Sequence, residues 1–535
     1  MRSFARRLAC AALAMAAGSF LPLTASGSEG APQRGGTLVV PIHLGEPGTF
    51  DCHGASTVSI MYRVSPHYSK LVKIVPEKYP DVIGDLAKSW KVSPDGLRYE
   101  FTLRDNIKFH DGSDLTSNDV RVSYERLRNP PQGVVSLFTG MLSDVASIEA
   151  PDARTVVFQL KAPNASMLQI LGMPYACVYS ARLLASDPSY PTKKIMGTGP
   201  FKFVSYSPGG DWIGTRFDQY FVKGLPYLDG FRMPSVTTAA ANNAVIAGQV
   251  HYTMIGTTPS QLMRVVAERG DKVNVVGKGS TTSVLTWLMV NTERAPLNDV
   301  RVRRALALAL DHYSGSKAML QFTAFNVVGG LLRPGSPNAR TEAELQQLPG
   351  FSRDIEASRK EARRLLAEAG HPDLKLTFLN NGVFSYFGVY LVDQLRQIGV
   401  TVDHQAVDGA TVQARALSGN YDLVFRTPPE YLDDPTVNWS VLKPYKENSA
   451  NYTRMNDAKF DEMYEAQKRV MDPKVRRERL REMESYLLNQ AYVIPFFWHN
   501  WTRPIASDVR GVGSFQSTFM KLDLADIWLD PKAKR

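Results

Sequence analysis

The amino-acid sequence predicts an α/β protein, and two patterns along the chain support this fold class. Between residues 36 and 160, strand-like segments follow one another with turn signals between them, whereas helical and strand-like segments alternate between residues 354 and 425. Such alternation favours a mostly parallel sheet covered by helices on both faces. The chain has 535 residues, enough for three to four domains at about 150 residues each. We therefore expect lobes of different architecture.

The strand-rich part begins with an apolar segment at residues 36–42, which is typical of a buried first strand. Residues 99–103 alternate large apolar with polar side chains, as a half-buried strand does, and residues 155–160 are a further strand candidate. Thr116 followed by Asp119 has the spacing of a capping box, so we expect a helix that ends near Arg128.

The second part alternates more regularly. An amphipathic helix is predicted at residues 354–369, where Gly370 and then Pro372 provide a helix stop. Residues 457–489 indicate a long charged helical stretch, and the aromatic run at 492–501 is too short to span a bilayer. The elements predicted between these segments are a strand at 374–379, a helix at 386–398, a strand at 400–407, a helix at 411–417 and a strand at 421–425.

The N-terminus has the layout of a secretory signal peptide, which we place at residues 1–27. Arg2, Arg6 and Arg7 precede an unbroken apolar run, and small residues follow Pro22. The run is shorter than the roughly 20 apolar residues that a membrane span needs, which disfavours a membrane anchor. The pair Arg6-Arg7 leaves twin-arginine export open beside the general secretory route.

The charge balance gives no support for a nucleic-acid partner. The formal net charge is +10, which falls to +7 once the three leader arginines are removed. The remaining basic residues are interleaved with acidic ones on predicted helices, as on solvated helix faces. Of the three cysteines, Cys10 lies in the leader, and the separation of Cys52 and Cys177 does not predict whether they form a disulfide.

Catalytic signatures are missing from the sequence. It contains no HExxH, CxxC, GxSxG or GxxxxGKS/T motif. Ser314 and Lys317 have SxxK spacing, but no KTG-type partner follows, and a helix that begins after Asp311 explains the segment better. We therefore expect neither an enzyme, nor a cofactor, nor a bound metal.

Eight segments occur in one order along nearly the whole mature chain, and together they resemble a known family. They are 35–53 (GGTLVVPIHLGEPGTFDCH), 85–127 (DLAKSWKVSPDGLRYEFTLRDNIKFHDGSDLTSNDVRVSYERL), 197–203 (GTGPFKF), 224–230 (GLPYLDG), 291–311 (NTERAPLNDVRVRRALALALD), 361–372 (EARRLLAEAGHP), 395–407 (LRQIGVTVDHQAV) and 421–423 (YDL). The family is that of the extracytoplasmic solute-binding proteins of ABC importers, family 5, of the dipeptide- and oligopeptide-binding type.

The resemblance implies a periplasmic binding protein-like fold of the class II type, with two main lobes around a ligand cleft and a smaller inserted lobe. Two crossing segments, near residues 285–291 and 494–499, would form the hinge. The implied boundaries are lobe I at residues 28–65, 191–283 and 500–535, the strand-rich lobe II at 66–190, and the α/β lobe III at 284–499.

The resemblance also implies a function without a chemical step. A periplasmic protein of this kind captures a peptide or a peptide-like solute as its lobes close, and then docks on the ABC permease subunits in the inner membrane. We expect a monomer. Two alternatives stay open. One is the same fold with a non-peptide solute, such as an opine, a sugar derivative, glutathione or a metal chelate; the other is a secreted serine hydrolase that uses Ser314 and Lys317.

In the family's peptide binders, an aspartate shortly before an acidic-Pro pair binds the α-amino group of the ligand. Tyr431 occupies the corresponding position here, so that anchor is missing in its usual form. Glu430 and Asp433 are the candidate substitutes; otherwise the ligand is not an ordinary peptide. Alternatively, the acidic-Pro run at residues 433–435 only caps the next helix.

The other candidate ligand contacts rest on position and residue type. Ser56 and Thr57 follow the turn that lines the cleft in relatives. Aromatic side chains with a few polar groups suit a small-molecule site, although core packing is the alternative explanation for each tryptophan. The candidates beside the two hinge segments are Trp287, Asn291, Trp498 and Trp501.

Overall fold

Strand pairing divides the described part of the protein into several separate sheets. The computed structural model describes residues 31–42, 45–54, 57–254, 257–277, 281–427, 432–500, 502–513 and 519–533. We keep the names lobe I, lobe II and lobe III for the segments defined above, while their boundaries stay a prediction.

Elements are numbered in chain order through the described residues. The strands are β1 (Thr37–Val39), β2 (Val72–Ile74), β3 (Val82–Gly84), β4 (Ala87–Val92), β5 (Arg98–Leu103), β6 (Val145–Asp152), β7 (Thr155–Leu160), β8 (Phe201–Ser205), β9 (Asp211–Arg216), β10 (Gly230–Pro234), β11 (Val273–Val276), β12 (Thr281–Val290), β13 (Phe325–Val327), β14 (Lys375–Asn381), β15 (Thr401–Val407), β16 (Leu423–Arg426), β17 (Val493–Asn500), β18 (Arg503–Ala506), β19 (Val509–Arg510) and β20 (Trp528–Leu529).

The α-helices of the described ranges are too short or too polar to cross a membrane. None of those in the described ranges meets the length and apolarity of a membrane span. They are α1 (Val58–Val64), α2 (Ser117–Arg128), α3 (Met167–Leu171), α4 (Ala181–Ser186), α5 (Thr238–Ile246), α6 (Pro259–Arg269), α7 (Val300–Leu308), α8 (His312–Met319), α9 (Glu342–Leu345), α10 (Ile355–Glu368), α11 (Ser385–Arg396), α12 (Gly409–Ser418), α13 (Pro435–Asn438), α14 (Ala458–Lys468) and α15 (Pro473–Gln490).

Lobe I contains a four-stranded sheet in the order β1-β10-β9-β8. β1 and β10 run parallel, while β10, β9 and β8 pair antiparallel. The antiparallel pair β11–β18 brings the C-terminal segment back to this lobe. The predicted first strand is therefore confirmed, although its ladder covers only Thr37–Val39.

Lobe II contains the antiparallel sheet β4-β5-β7-β6, against which α2 packs. The alternation predicted for β5 is confirmed, since Tyr99, Phe101 and Leu103 are buried. β7 has the predicted bounds. The capping box is also confirmed, because the carboxylate of Asp119 accepts a hydrogen bond from the backbone amide of Thr116 at 2.8 Å and the helix ends where expected.

Lobe III is organised by a six-stranded sheet in the order β13-β17-β12-β16-β14-β15. The expectation of a mostly parallel sheet is wrong. β14 pairs parallel with β15 and β16, whereas β12–β16, β12–β17 and β13–β17 are antiparallel. The crossover helices α11 and α12 make β14, β15 and β16 parallel, but β12 carries the chain into the lobe and β17 carries it out in the opposite direction.

The helices and strands predicted between residues 354 and 425 are present, with ends shifted by two residues or fewer. The long helical stretch at 457–489, in contrast, is divided into α14 and α15. Pro473 begins α15, and Asp472 caps it by accepting hydrogen bonds from the amides of Lys474 and Val475. Proline has no N–H group to continue the preceding helix, so the division falls at this position.

The apolar core joins lobes I and II. One cluster of buried side chains includes Leu38 of lobe I and Phe101 of lobe II. Lobe III has two clusters, which alternate residues of β12 place on opposite faces of the six-stranded sheet. Leu432 and Val437 belong to lobe III in sequence, but they are buried in the cluster of lobes I and II.

Candidate functional site

A buried disulfide and a buried ion pair hold the chain just before α1. Cys52 and Cys177 are bonded, which answers the question that the sequence left open. Beside them, Arg126 pairs with Asp51 at 2.6 Å between Nη2 and Oδ2, and both side chains are almost fully enclosed. The part of the chain just before Thr57 is therefore attached to lobe II.

His53 lies in the same enclosed cluster. Its Nε2 is 3.0 Å from the carbonyl oxygen of Cys177, and its Nδ1 is 3.0 Å from Nη1 of Arg126. Burial lowers the pKa of His53 to about 4, so the ring is neutral at physiological pH. Tyr179 donates a hydrogen bond from its hydroxyl to Asp51 at 2.9 Å. The polar groups of this cluster thus bind one another and the backbone.

A short segment of lobe III, residues 432–437, reaches the other two lobes, and we call it the docking segment. Leu432 and Val437 at its two ends are buried among side chains of lobes I and II. Asp434 caps α13, as the capping interpretation predicts, and also accepts a hydrogen bond from the hydroxyl of Ser166 in lobe II at 2.8 Å. The docking segment thus connects lobes II and III through apolar and polar contacts.

Arg476 of α15 completes this contact. Its Nη1 and Nη2 each lie 3.0 Å from an oxygen of Asp434, and Nη2 lies 2.9 Å from the hydroxyl of Ser166. Burial would raise the pKa of Asp434, but Arg476 lowers it below its ordinary value. The carboxylate is therefore ionised in its enclosed position.

A second link between lobes II and III lies at Asp144. Its carboxylate is 3.1 Å from Nζ of Lys468 and 3.1 Å from Nη1 of Arg469. The backbone amide of Ala165 in lobe II donates to the carbonyl oxygen of Lys468 at 2.8 Å. The two lobes are therefore in direct polar contact in this structure.

A cavity of about 240 Å³ borders the docking segment, and we call it the interlobe cavity. Its size is slightly below the ~300–1,000 Å³ of typical small-molecule sites. Its lining combines apolar with charged side chains, which suits a compact polar solute. The walls come from all three lobes: Lys70, Lys73, Tyr79 and Pro174 from lobe II, Leu432 and Asp433 from lobe III, and C-terminal residues of lobe I including Phe519, Lys521, Asp523 and Asp526.

Ion pairs neutralise most of the charges at the interlobe cavity. Lys73 lies 2.6 Å from Asp523, and Lys521 lies 2.8 Å from Asp526. Burial opposes the charge of Lys73, but Asp523 raises the pKa of this lysine well above its ordinary value. Lys70 differs, because no carboxylate in the described part of the chain lies within 4.0 Å of its ammonium group.

Asp433 is a predicted ligand contact that borders the interlobe cavity. Its carboxylate pairs with Arg333 of its own lobe at 2.5 Å, and the guanidinium group also lies over the ring of Tyr79. Burial raises the pKa of Asp433, although Arg333 opposes this effect. The role of Asp433 as an amino anchor stays a prediction, and its charge is already balanced by Arg333.

Thr57 and Asn291 occupy very different surroundings. Thr57 is exposed and is the N-cap residue of α1. Asn291 is buried, and its side-chain amide donates to the carbonyl oxygens of Gly419 and Tyr421 at 3.2 and 3.1 Å. These contacts hold the end of β12 against the neighbouring strand, and a ligand role for either residue stays a prediction.

The two described hinge tryptophans are buried in lobe III. Trp287 and Trp498 belong to the same apolar cluster. Trp498 donates from Nε1 to the carbonyl oxygen of Gly330 at 2.9 Å. Core packing accounts for both, while a ligand role stays a prediction. The other predicted contacts, Ser56, Glu430, Tyr431 and Trp501, lie outside the described residues.

Sequence reasoning missed the charged residues of the interlobe cavity. Lys70 lies just before β2 and Lys73 lies within it, and lysines at such positions ordinarily indicate a solvated face. The partner of Lys73 is Asp523, 450 positions later in the chain. No local pattern connects residues at such a separation, so the sequence contained no signal for this cluster.

A family comparison covers most of the chain. Residues 81–449 match the model of a family described as bacterial extracellular solute-binding proteins, family 5 Middle. This match includes the sheet of lobe II and most strands of lobe III.

Individual relatives agree with the family comparison. A putative ABC transporter peptide-binding protein from Brucella ovis is 29% identical over 359 residues, which are 64% of this chain and 64% of the relative. The chain thus matches less than two thirds of that relative's own length. The probable D,D-dipeptide-binding periplasmic protein DdpA of Escherichia coli is 24% identical over 465 residues, covering 83% of this chain and 85% of that protein.

Solved structures show the fold. The periplasmic binding protein DppA from Helicobacter pylori, in complex with the peptide STSA, has a TM-score of 0.75 at 22% identity and covers 93% of this chain and 99% of that one. The substrate-binding protein CtaP from Listeria monocytogenes has a TM-score of 0.79 at 22% identity, covering 93% of this chain and 100% of that one. The predicted periplasmic binding protein-like α/β fold is confirmed.

Proposed function

Because this chain belongs to the bacterial extracellular solute-binding proteins, family 5, we propose that it captures a peptide or a peptide-like solute between its lobes. It then delivers the solute to the permease of an ABC importer. The relatives from Brucella ovis and Escherichia coli, which are named as peptide-binding and dipeptide-binding proteins, support this solute class.

The observation that carries the proposal is the position of the docking segment. Its apolar side chains are buried among those of lobes I and II, and its first two residues form part of the interlobe cavity. A solute in this cavity contacts all three lobes at once. Since those contacts exist only when the lobes are together, solute binding shifts the population toward the closed arrangement.

β12 and β17 are the strands about which lobe III moves in this proposal. They connect lobe III to lobe I, and their pairing is irregular, with register shifts between Thr281 and Leu285 and between Leu285 and Trp287. A bulged ladder bends more readily than a regular one. The predicted crossing segments, near 285–291 and 494–499, lie in these two strands, which supports a hinge there.

Members of this family are binding proteins, and the residues of the alternative hydrolase are not arranged for catalysis. Ser314 and Lys317 are both exposed in α8, and the contacts of the described residues include no hydrogen bond between their side chains. Asp311 caps the helix by accepting from the amide of Ser314 at 2.9 Å. A serine nucleophile needs a base within hydrogen-bond reach, so the geometry favours a structural role.

We also propose that residues 1–27 direct the chain to the periplasm, where it acts as a monomer beside the inner-membrane permease. The buried disulfide between Cys52 and Cys177 supports an oxidising compartment. N-terminal sequencing of protein from a periplasmic fraction is expected to find a chain that begins near residue 28. An uncleaved chain in the cytoplasm would contradict the proposal.

Dipeptide binding to the mature protein tests the solute class. A pool of dipeptides with free termini is expected to raise the melting temperature in a thermal-shift assay, and calorimetry on its members then gives Kd. The same pool with acetylated amino groups is the matched control and shows how much the free amino group contributes to binding. The peptide proposal fails if no peptide produces a response while an opine, a sugar derivative, glutathione or a metal chelate does.

A further inference from the structure

Among the described residues that line the interlobe cavity, Lys70 is the charged residue whose side chain has no partner. Its Nζ has no hydrogen bond and no ion pair within 4.0 Å to any described residue. The other lysines of the cavity are used, since Lys73 pairs with Asp523 and Lys521 with Asp526. An ammonium group enclosed by protein costs free energy unless an anion or several hydrogen-bond acceptors compensate it.

The neighbouring carboxylate of Asp85 does not bind this ammonium group. Asp85 is buried, and its Oδ2 accepts a hydrogen bond from the backbone amide of Lys70 at 2.8 Å. Burial lowers the pKa of Lys70, and the more distant charges of Asp85 and Asp523 only partly offset this effect. The backbone amide of Lys70 is therefore held by Asp85, while its ammonium group binds no described residue and is available to a ligand.

The acidic residues of the interlobe cavity are, in contrast, all engaged among the described contacts. Asp523 and Asp526 are paired with the lysines named above, and Asp433 is paired with Arg333. A ligand cation would have to compete with these existing partners. The charge arrangement therefore favours an anionic group of the solute, at Lys70, over a cationic one.

We propose that Lys70 binds a carboxylate of the solute, so that the ligand of this protein is a peptide or peptide-like molecule with a free carboxyl group. This inference rests on the proposed function, because it assigns a contact to the solute named there. Leu432 and Phe519 line the same cavity, and apolar surroundings strengthen a charge-assisted hydrogen bond. Lys70 belongs to lobe II and Leu432 to lobe III, so closure encloses the bound carboxylate.

A comparison of two dipeptide pools tests this contact without altering the protein. The pools share the same sequences, and one ends in a free carboxylate while the other ends in a carboxamide. The free-carboxylate members are expected to bind the mature protein at least about tenfold more tightly in calorimetry, because a hydrogen bond between charged groups is lost in the amides. Equal Kd values for the two forms would overturn the assignment.

Substitution of Lys70 tests whether this residue causes the tighter binding of dipeptides with a free carboxylate. Lys70→Met is expected to weaken binding of the free-carboxylate dipeptides about tenfold and to remove their advantage over the carboxamides. Lys78→Met is the matched control, because Lys78 is exposed in the same lobe and loses the same charge. If Lys70→Met does not fold, as judged by circular dichroism, Lys70→Gln replaces it.

The outcomes separate this inference from the proposed function. If neither pool binds the wild-type protein, the peptide function itself is overturned, and the Lys70 assignment with it. If peptides bind but Lys70→Met keeps the wild-type preference for a free carboxylate, the function stands and the assignment to Lys70 is overturned. Loss of that preference in Lys70→Met, but not in Lys78→Met, supports the assignment.

Discussion

The hydroxyl group of Ser166 in lobe II lies 2.8 Å from Oδ1 of Asp434 in lobe III, and this hydrogen bond joins residues 268 positions apart. Arg476 contacts both side chains. The three residues meet where two lobes touch, so their contacts form only when the lobes are together. Their interaction energy therefore stabilises the closed arrangement relative to an open one.

Ser166→Ala should weaken solute binding, because it removes one contribution to closure and leaves the folded lobes intact. A hydrogen bond to a charged group contributes about 1.5 kcal/mol or more, so Kd is expected to rise about tenfold in calorimetry. Ser147→Ala is the control, since the hydroxyl of Ser147 contacts Glu149 of its own strand. An unchanged Kd in Ser166→Ala would show that this hydrogen bond does not contribute to binding.

Acidification should weaken the second link between lobes II and III, at Asp144. Burial would raise the pKa of Asp144, but Lys468 and Arg469 lower it below its ordinary value of 3.8. The stabilisation is therefore complete above pH 3.8 and is lost as the pH falls below that value. The melting temperature, followed from neutral pH to below 3.8, is expected to fall more steeply for the wild type than for Asp144→Asn. Equal slopes of melting temperature against pH for the two proteins would contradict a stabilising role of the ionised Asp144.

The disulfide should be a large contributor to stability. Cys52 and Cys177 are 125 positions apart, and closing a loop of this length is worth about 5 kcal/mol in the chain-entropy account. The double variant Cys52→Ser/Cys177→Ser is expected to lose a free energy of unfolding of this order in denaturant titration. A reductant should destabilise the wild type in the same way and leave the variant unaffected; equal stabilities of the two proteins would argue against a stabilising bond.

Replacing Arg126 should lower the free energy of unfolding far more than replacing Arg121, which lies on the same helix, α2. Arg126→Met leaves the carboxylate of Asp51 buried without its counter-charge, which is expected to cost about 3–5 kcal/mol of the free energy of unfolding. Arg121, whose guanidinium contacts Asn118 on the surface, offers the matched change. Arg121→Met is expected to alter stability by about 0.5 kcal/mol or less, and equal losses in both variants would contradict the burial argument.

Local elements of the fold could be predicted because their signals lie within a few residues of one another. The capping box at Thr116 and Asp119 predicted the start of α2, and the stop at Gly370 and Pro372 predicted the end of α10. The direction of β12 and β17 could not be predicted in this way. Their antiparallel pairing depends on where the chain enters and leaves lobe III, which no short pattern encodes.

The candidate site was predicted only in part. Asp433 could be found because it lies beside the position of a family anchor, and it borders the interlobe cavity. Lys70 could not be found. It is a candidate because the fold places it at the interlobe cavity and because its side chain has no partner among the described residues. Asp523 reaches the cavity only because the C-terminal segment returns to lobe I, and that return has no local sequence signal.

The most direct test of the central claim is small-angle X-ray scattering of the mature protein titrated with a dipeptide that calorimetry has shown to bind. The account predicts that the radius of gyration decreases with occupancy and reaches a constant value at saturation, because the lobes close on the solute. Saturation of the binding site with no change in the radius of gyration would contradict the claim that the solute is enclosed between the lobes.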